Sequence, residues 1–188
     1  MSRLALAALA LSLIVAPMGA VADERDAWAA LVNGSHVALV RHGNAPPGYG
    51  DPPGFKIDDC ATQRNLDELG GAQARAVGEA FRQHAVQVDK ILSSPLCRCL
   101  ETARLMALGP VESVLAVASS DWSPEGLPAL KQIVANWRGP GTLVLVTHAF
   151  TVQSLVGIMP QQAETVVVRP GSGDQRGVDL VGRITTPR

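Results

Sequence analysis

The chain lacks a basic excess: 16 Lys and Arg stand against 17 Asp and Glu, a formal net charge of −1. Nothing in that balance recommends nucleic acid as a partner. It also lacks an apolar run long enough to cross a bilayer, which takes about 20 residues. The run from Leu4 to Val15 is broken by Pro17 and Gly19. Cysteine is scarce, and neither the spacing of Cys60, Cys97 and Cys99 nor any nearby histidine suits zinc. No carboxylate cluster of metal-binding type, internal repeat, low-complexity tract or second domain is visible.

What is present begins with an export signal. Met1-Ser2-Arg3 carries one positive charge, the apolar run follows, and Ala20-Val21-Ala22 has the small-residue character of a cleavage site before Asp23. Residues 1–22 are therefore expected to be a signal peptide, leaving residues 23–188 as one periplasmic or secreted domain of charge −2 with no stable membrane anchor. A disulfide is permitted in such a compartment. Cys97 and Cys99, two apart on an expected helix, point away from each other, so a bridge would join Cys60 to one of them and leave one thiol over.

The expected elements alternate. A short amphipathic stretch, Ala27 to Val32, precedes a strand from His36 to Arg41. Gly43 to Thr62, rich in Pro, Gly and Asp, is too long for an idle connection and should border a site. Asp67 can cap a helix from Glu68 to about His84, and Val88 to Leu92 reads as a strand. Ser94-Pro95 reads as a helix start, with the helix ending at Gly109-Pro110. Val111 to Val117 is expected to be a strand, Leu127 to Trp137 a helix, and Thr142 to Thr147 a strand buried on both faces. Phe150 to Ile158 looks helical, and Glu164 to Val168 and Val178 to Ile184 look like closing strands. The alternation indicates an α/β fold, a three-layer α/β/α sandwich with a mostly parallel central sheet.

In such sheets ligands sit beyond the carboxyl ends of the strands. Three features meet that rule together: Arg41-His42-Gly43, Ser93-Ser94-Pro95 and Thr147-His148. Arg41 and His42 would face opposite sides of an ideal strand, and both reach one pocket only if the backbone bends, which Gly43 makes easy. Arg98, near the start of its helix, shares a face with Thr102 and can aim a guanidinium at an anion. Each of these residues alone has an ordinary structural role. Their convergence suggests a box for a phosphoryl group, with one imidazole as nucleophile and the other groups stabilising charge.

At these residues the chain resembles the histidine phosphatase superfamily, in the branch that holds the cofactor-dependent phosphoglycerate mutases and many small phosphatases. The matching stretches are Val40-Arg41-His42-Gly43, Leu66-Asp67-Glu68-Leu69-Gly70, Ser93-Ser94-Pro95-Leu96-Cys97-Arg98 with Glu101-Thr102-Ala103, and Val146-Thr147-His148. The resemblance implies a phosphoglycerate-mutase-like fold and a covalent mechanism in which His42 is phosphorylated while Arg41, Arg98 and His148 hold the phosphoryl oxygens. It also implies a carboxylic general acid, for which Glu125 is the first choice and Asp121 the alternative. Asn44 and Arg64 are further candidate substrate contacts, with Tyr49, Phe55 and Lys56 on the rim of the same loop.

Asn44-Ala45-Pro46-Pro47 departs from the mutase pattern, and Ala45 and Ala149 depart from that of the acid phosphatases and phytases. The segment Asp59-Cys60-Ala61-Thr62-Gln63-Arg64-Asn65-Leu66 suggests instead a small exported subgroup. The expected activity is hydrolysis of a small-molecule or glycan phosphomonoester, without cofactor or metal. The alternatives are a catalytically weak phosphate-binding protein of the same fold and a phosphoglycerate-type mutase.

Overall fold

Buried apolar residues at alternate positions along three adjacent strands divide the core into two halves. The computed structural model describes residues 24–46, 48, 50–118, 126–171 and 177–185. The expected signal peptide, Tyr49, Asp121 and Glu125 lie outside them. The elements run α1 (Glu24–Asn33), β1 (Val37–Arg41), α2 (Glu68–Gln83), β2 (Val88–Ser93), α3 (Cys97–Met106), β3 (Val111–Ser113), α4 (Gly126–Ala135), β4 (Thr142–Thr147), α5 (Ala149–Val156), β5 (Thr165–Pro170) and β6 (Val178–Ile184). The six strands form one sheet in the order β3-β2-β4-β1-β5-β6. The pairs β3/β2, β2/β4 and β4/β1 are parallel, whereas β5 is antiparallel to both β1 and β6.

Ala38, Val40, Val144, Val146 and Val167 project into one half of the core, with Leu31 of α1, Phe81 of α2 and Met106 of α3. Val37, Leu39, Leu143, Leu145 and Val166 project into the other, with Leu130 of α4 and Leu155 of α5. Among the described residues the fold is therefore a three-layer α/β sandwich with five helices and a mostly parallel sheet. β4, buried at every position, is a central strand, as its unbroken apolar run requires. No described helix is long and apolar enough to cross a membrane.

Three expectations are corrected. The helix after β2 starts at Cys97, with Leu96 as its N-cap residue, rather than at Ser94-Pro95. The Ser94 hydroxyl is bound to His148 at 2.8 Å, and Gln63 Oε1, from the long loop, accepts the Cys97 N–H at 2.9 Å. A distant side chain thus satisfies one of the orphan amides of the helix start. The same helix stops at Met106, where Ala107 turns left-handed at φ 52°, before Gly109-Pro110. The strand expected over Val111 to Val117 ends at Ser113 and gives way to a 3-10 turn, Leu115–Val117. That turn carries Val117 into the second half of the core, where Thr147 Oγ1 donates to its carbonyl at 2.7 Å.

Glycine is required at Gly78, where a Cβ would lie 1.9 Å from the Met106 carbonyl oxygen. Helices α2 and α3 pack backbone to backbone there. The long loop after β1 is fastened to the start of α3 by a disulfide between Cys60 and Cys97, 37 residues apart, while Cys99 is free and buried.

Replacing Cys60 and Cys97 together by serine is expected to lower stability by about 4 kcal/mol, the chain-entropy cost for a loop of this length, measured by urea unfolding. Thiol titration of the unfolded, unreduced protein should find one reactive thiol per chain. Three would contradict the bridge.

Candidate active site

The parallel register brings three strand ends side by side. Arg41 of β1 lies opposite Thr147 of β4, and Ser93 of β2 lies opposite Val146. The ladder continues one step beyond the strands: the His42 N–H donates to Thr147 O at 3.0 Å and the Ser94 N–H to Val146 O at 2.9 Å. His42, His148 and Ser94 are thereby set in a row at the carboxyl edge of the sheet. The two imidazoles are 5.4 Å apart between centroids.

The bend after His42 is a matter of space rather than of unusual backbone angles. A Cβ on Gly43 would come 2.4 Å from the Gly70 carbonyl oxygen, and Gly43 is not among the glycines with positive φ. Its N–H donates to Thr102 Oγ1 at 3.1 Å, and that hydroxyl donates to the Arg98 carbonyl at 2.7 Å. One threonine thus locks the histidine turn to the arginine helix.

His42 is buried, and its Nδ1 lies 2.7 Å from the carbonyl of Gly43. A carbonyl only accepts, so Nδ1 carries the proton and Nε2 keeps its lone pair. Burial, followed by the charge of Arg98, lowers the pKa of His42 from 6.5 to about 3, with Arg41 and Arg64 adding to the fall and the Gly43 carbonyl opposing it. His148 is held well below 6.5 by burial and by the neighbouring His42 and arginine charges. Its Nδ1 lies 3.5 Å from Arg98 Nη2, which can only donate, so its proton sits on Nε2 and is shared with Ser94 Oγ. Cys99 Sγ lies 3.5 Å from that Nε2. Burial pushes this thiol up to about 12, which keeps it protonated.

Three arginines surround the imidazoles, each tied to a carbonyl or a carboxylate. Arg41 Nη1 donates to the Pro160 carbonyl at 2.7 Å. Arg64 donates through Nε to Gly50 O at 2.9 Å and through Nη1 to Ala45 O. Arg98 Nη1 donates to both oxygens of Asp51, at 2.8 and 3.0 Å. Arg98 Nε is buried with no hydrogen-bond partner among the described residues. A cleft of about 260 Å³ opens onto Arg41, His42, Asn44 and Arg64. Arg41 and His42 share it despite the alternation of a regular strand, while Arg98 and His148 are buried beside His42.

Asn44 lines the cleft, with its side chain engaged by Asp67 at 2.7 Å and Gln162 at 3.4 Å. Phe55 and Lys56, expected on the rim, are not among its lining residues. The Lys56 backbone instead belongs to a tight turn closed by Thr62 and Gln63. Asp51 and Gln63 carry no sequence signal that marks them as parts of the site, whereas Ser94 belongs to one of the three strand-end features and Thr102 to the helix face of Arg98. Among the described residues no group of His, Cys, Asp or Glu is arranged to hold a metal ion.

Residues 37–116 match the sequence model of the histidine phosphatase superfamily, branch 1. Comparison with curated proteins finds no match. The fold is similar to that of the protein histidine phosphatase SixA in complex with tungstate, at 14% identity over 80% of this chain and 96% of that one, with a TM-score of 0.57. It is also similar to a phosphoserine phosphatase mutant of Entamoeba histolytica in complex with phosphoserine, at 16% identity, 79% and 95% coverage and a TM-score of 0.55. A mycobacterial glucosyl-3-phosphoglycerate phosphatase complexed with VO3 shares 17% identity over 78% and 96%, with a TM-score of 0.53. At these identities the likeness shows a shared fold alone, and the chain's own residues must supply the chemistry.

The lowered histidine pKa has a consequence for stability. Unfolded His42 takes up a proton near pH 6.5, whereas the folded residue resists protonation down to about 3. The unfolded chain binds more protons between those values, so this contribution is full above pH 6.5 and is lost as the pH falls towards 3. Urea unfolding at pH 7 and 4.5 should show a smaller acid loss in His42→Gln than in the unsubstituted protein, by up to about 1.4 kcal/mol per pH unit. Equal losses in the two proteins would show that His42 is not held neutral.

Proposed function

We propose that this protein is an exported phosphomonoester hydrolase working through a phosphohistidine at His42. The observation that carries the reading is the state of that imidazole: neutral, protonated on Nδ1 by its 2.7 Å contact with the Gly43 carbonyl, and surrounded by guanidiniums. Its Nε2 lone pair attacks phosphorus, the P–N bond forms, and the bond to the leaving oxygen breaks. Arg41, Arg98 and Arg64 meet the charge on the phosphoryl oxygens, and the His148 N–H, now on Ser94, is a further donor. Water then attacks the phosphohistidine and gives a proton back to the carboxylate that served the leaving oxygen, the P–N bond breaks, Nε2 recovers its lone pair, and inorganic phosphate leaves. Asp121 or Glu125, both outside the described residues, is assigned the proton delivered to the leaving oxygen.

The superfamily match and the phosphatases among its structural neighbours support hydrolysis of phosphomonoesters. The signal-like residues 1–22 and the Cys60–Cys97 disulfide support a periplasmic or secreted location within a small exported subgroup. Export favours small-molecule or glycan phosphomonoesters outside the cytoplasm over a glycolytic intermediate. Asn44-Ala45-Pro46-Pro47 argues against a phosphoglycerate mutase.

Incubation with a phosphorus-labelled phosphomonoester and alkaline quench should trap acid-labile label on the protein and none on His42→Ala. Arg98→Ala and His148→Ala should each lower turnover of p-nitrophenyl phosphate by about a hundredfold or more. EDTA should change nothing, because arginine and histidine meet the phosphate charge. Unlabelled protein that binds vanadate without turnover would identify a phosphate-binding protein instead, and metal-restored activity after EDTA would overturn the mechanism.

A further inference from the structure

Asp51 sits in the Pro- and Gly-rich loop, 47 residues from Arg98 in sequence, yet the two side chains meet with exposures of only 5% and 4%. Both carboxylate oxygens fall on the same atom, Arg98 Nη1. A planar guanidinium has two edges for bidentate binding, and a contact confined to Nη1 leaves the Nε–Nη2 edge for another oxyanion. That edge is the one with the buried Nε, which has no partner among the described residues, and its Nη2 lies 3.5 Å from His148.

Asp51 is itself held in place. Its Oδ1 accepts the Arg64 N–H at 2.9 Å, and the neighbouring Gly50 carbonyl accepts Arg64 Nε at the same distance. The segment carrying Arg64 is secured by the Cys60–Cys97 bridge and by the Gln63 amide on the Cys97 N–H. A carboxylate so enclosed is fixed against Arg98. Without it, Arg98 would face Arg41 and Arg64 with no carboxylate bound to it among the described residues, and its long side chain would gain rotameric freedom.

Resting on the phosphatase reading above, we propose that Asp51 is a positioning residue: it fixes Arg98 at one corner and the Arg64 backbone beside it, and so presents the Nε–Nη2 edge of Arg98 to the substrate phosphate. Asp51 touches no reacting atom. Its effect on turnover passes through Arg98.

The test is a double-mutant cycle on the disulfide-intact protein, read as kcat and KM for p-nitrophenyl phosphate and as affinity for orthovanadate. Asp51→Ala should lower kcat and weaken vanadate binding by about tenfold to a hundredfold, and Asp51→Asn, which keeps an acceptor in the same place, should recover most of both. In an Arg98→Ala background, Asp51→Ala should change either quantity by less than about threefold, because coupled residues are not additive. Equal losses in both backgrounds would reduce Asp51 to a general structural role and overturn the proposal. Tighter vanadate binding in Asp51→Ala would overturn it in another way, by showing the carboxylate to be a competitor for the phosphate edge. If the alanine variant does not fold, Asp51→Asn is carried through the same cycle, expecting a loss of a few-fold that disappears without Arg98. A protein that binds vanadate but hydrolyses nothing would defeat the hydrolase reading while the affinity cycle still decides on Asp51.

Discussion

Three guanidinium groups gathered around one buried imidazole form the constraint on which the rest of this structure depends. Like charges in a poorly solvated space repel, and each cation loses hydration on burial. The chain meets this by tying every guanidinium to a fixed acceptor. Arg41 is bound to the Pro160 carbonyl, Arg64 to the carbonyls of Gly50 and Ala45, and Arg98 to the Asp51 carboxylate. Burial first and then the same field hold His42 below its ordinary pKa, so its lone pair stays free, and in the proposed mechanism those charges also meet the phosphate.

The scaffold that makes this arrangement possible is spread over distant parts of the chain. The register of β2, β4 and β1 sets the histidines in adjacent places, and Thr102 joins the turn after β1 to α3. The long loop contributes from the outside. Its disulfide and the Gln63 contact hold it against the start of α3, so that Asp51 reaches a helix it is nowhere near in sequence. Close backbone approaches at Gly43 and Gly78 allow these pieces to meet.

Local signals in the sequence made much of this readable, and the misses have physical causes. The apolar run of β4 and the alternation in α2 identify a buried strand and an amphipathic helix directly, and Asp67 caps α2 through the Gly70 N–H. Arg41, His42, Arg98 and His148 were legible because they follow strand ends or open a helix. Ser94 misleads as a helix cap because its hydroxyl binds His148 and accepts the Leu96 N–H ahead of the helix, while the first helical N–H, that of Cys97, is met by Gln63, 34 residues from it. Val111 to Val117 misleads because its apolar pattern continues into a 3-10 turn that crosses to the other side of the sheet. Asp51 was invisible because an acid among prolines and glycines reads as a solvated loop residue, and only the folded chain brings Arg98 to it.

The central claim concerns the protonation state of one ring, and nitrogen-15 NMR of the histidine side chains measures it directly. His42 is predicted to remain a neutral Nδ1–H imidazole from pH 8 down to at least pH 5, with the shift of an unprotonated nitrogen at Nε2 throughout. A ring that titrates near 6.5, or that carries its proton on Nε2 at neutral pH, would contradict the account.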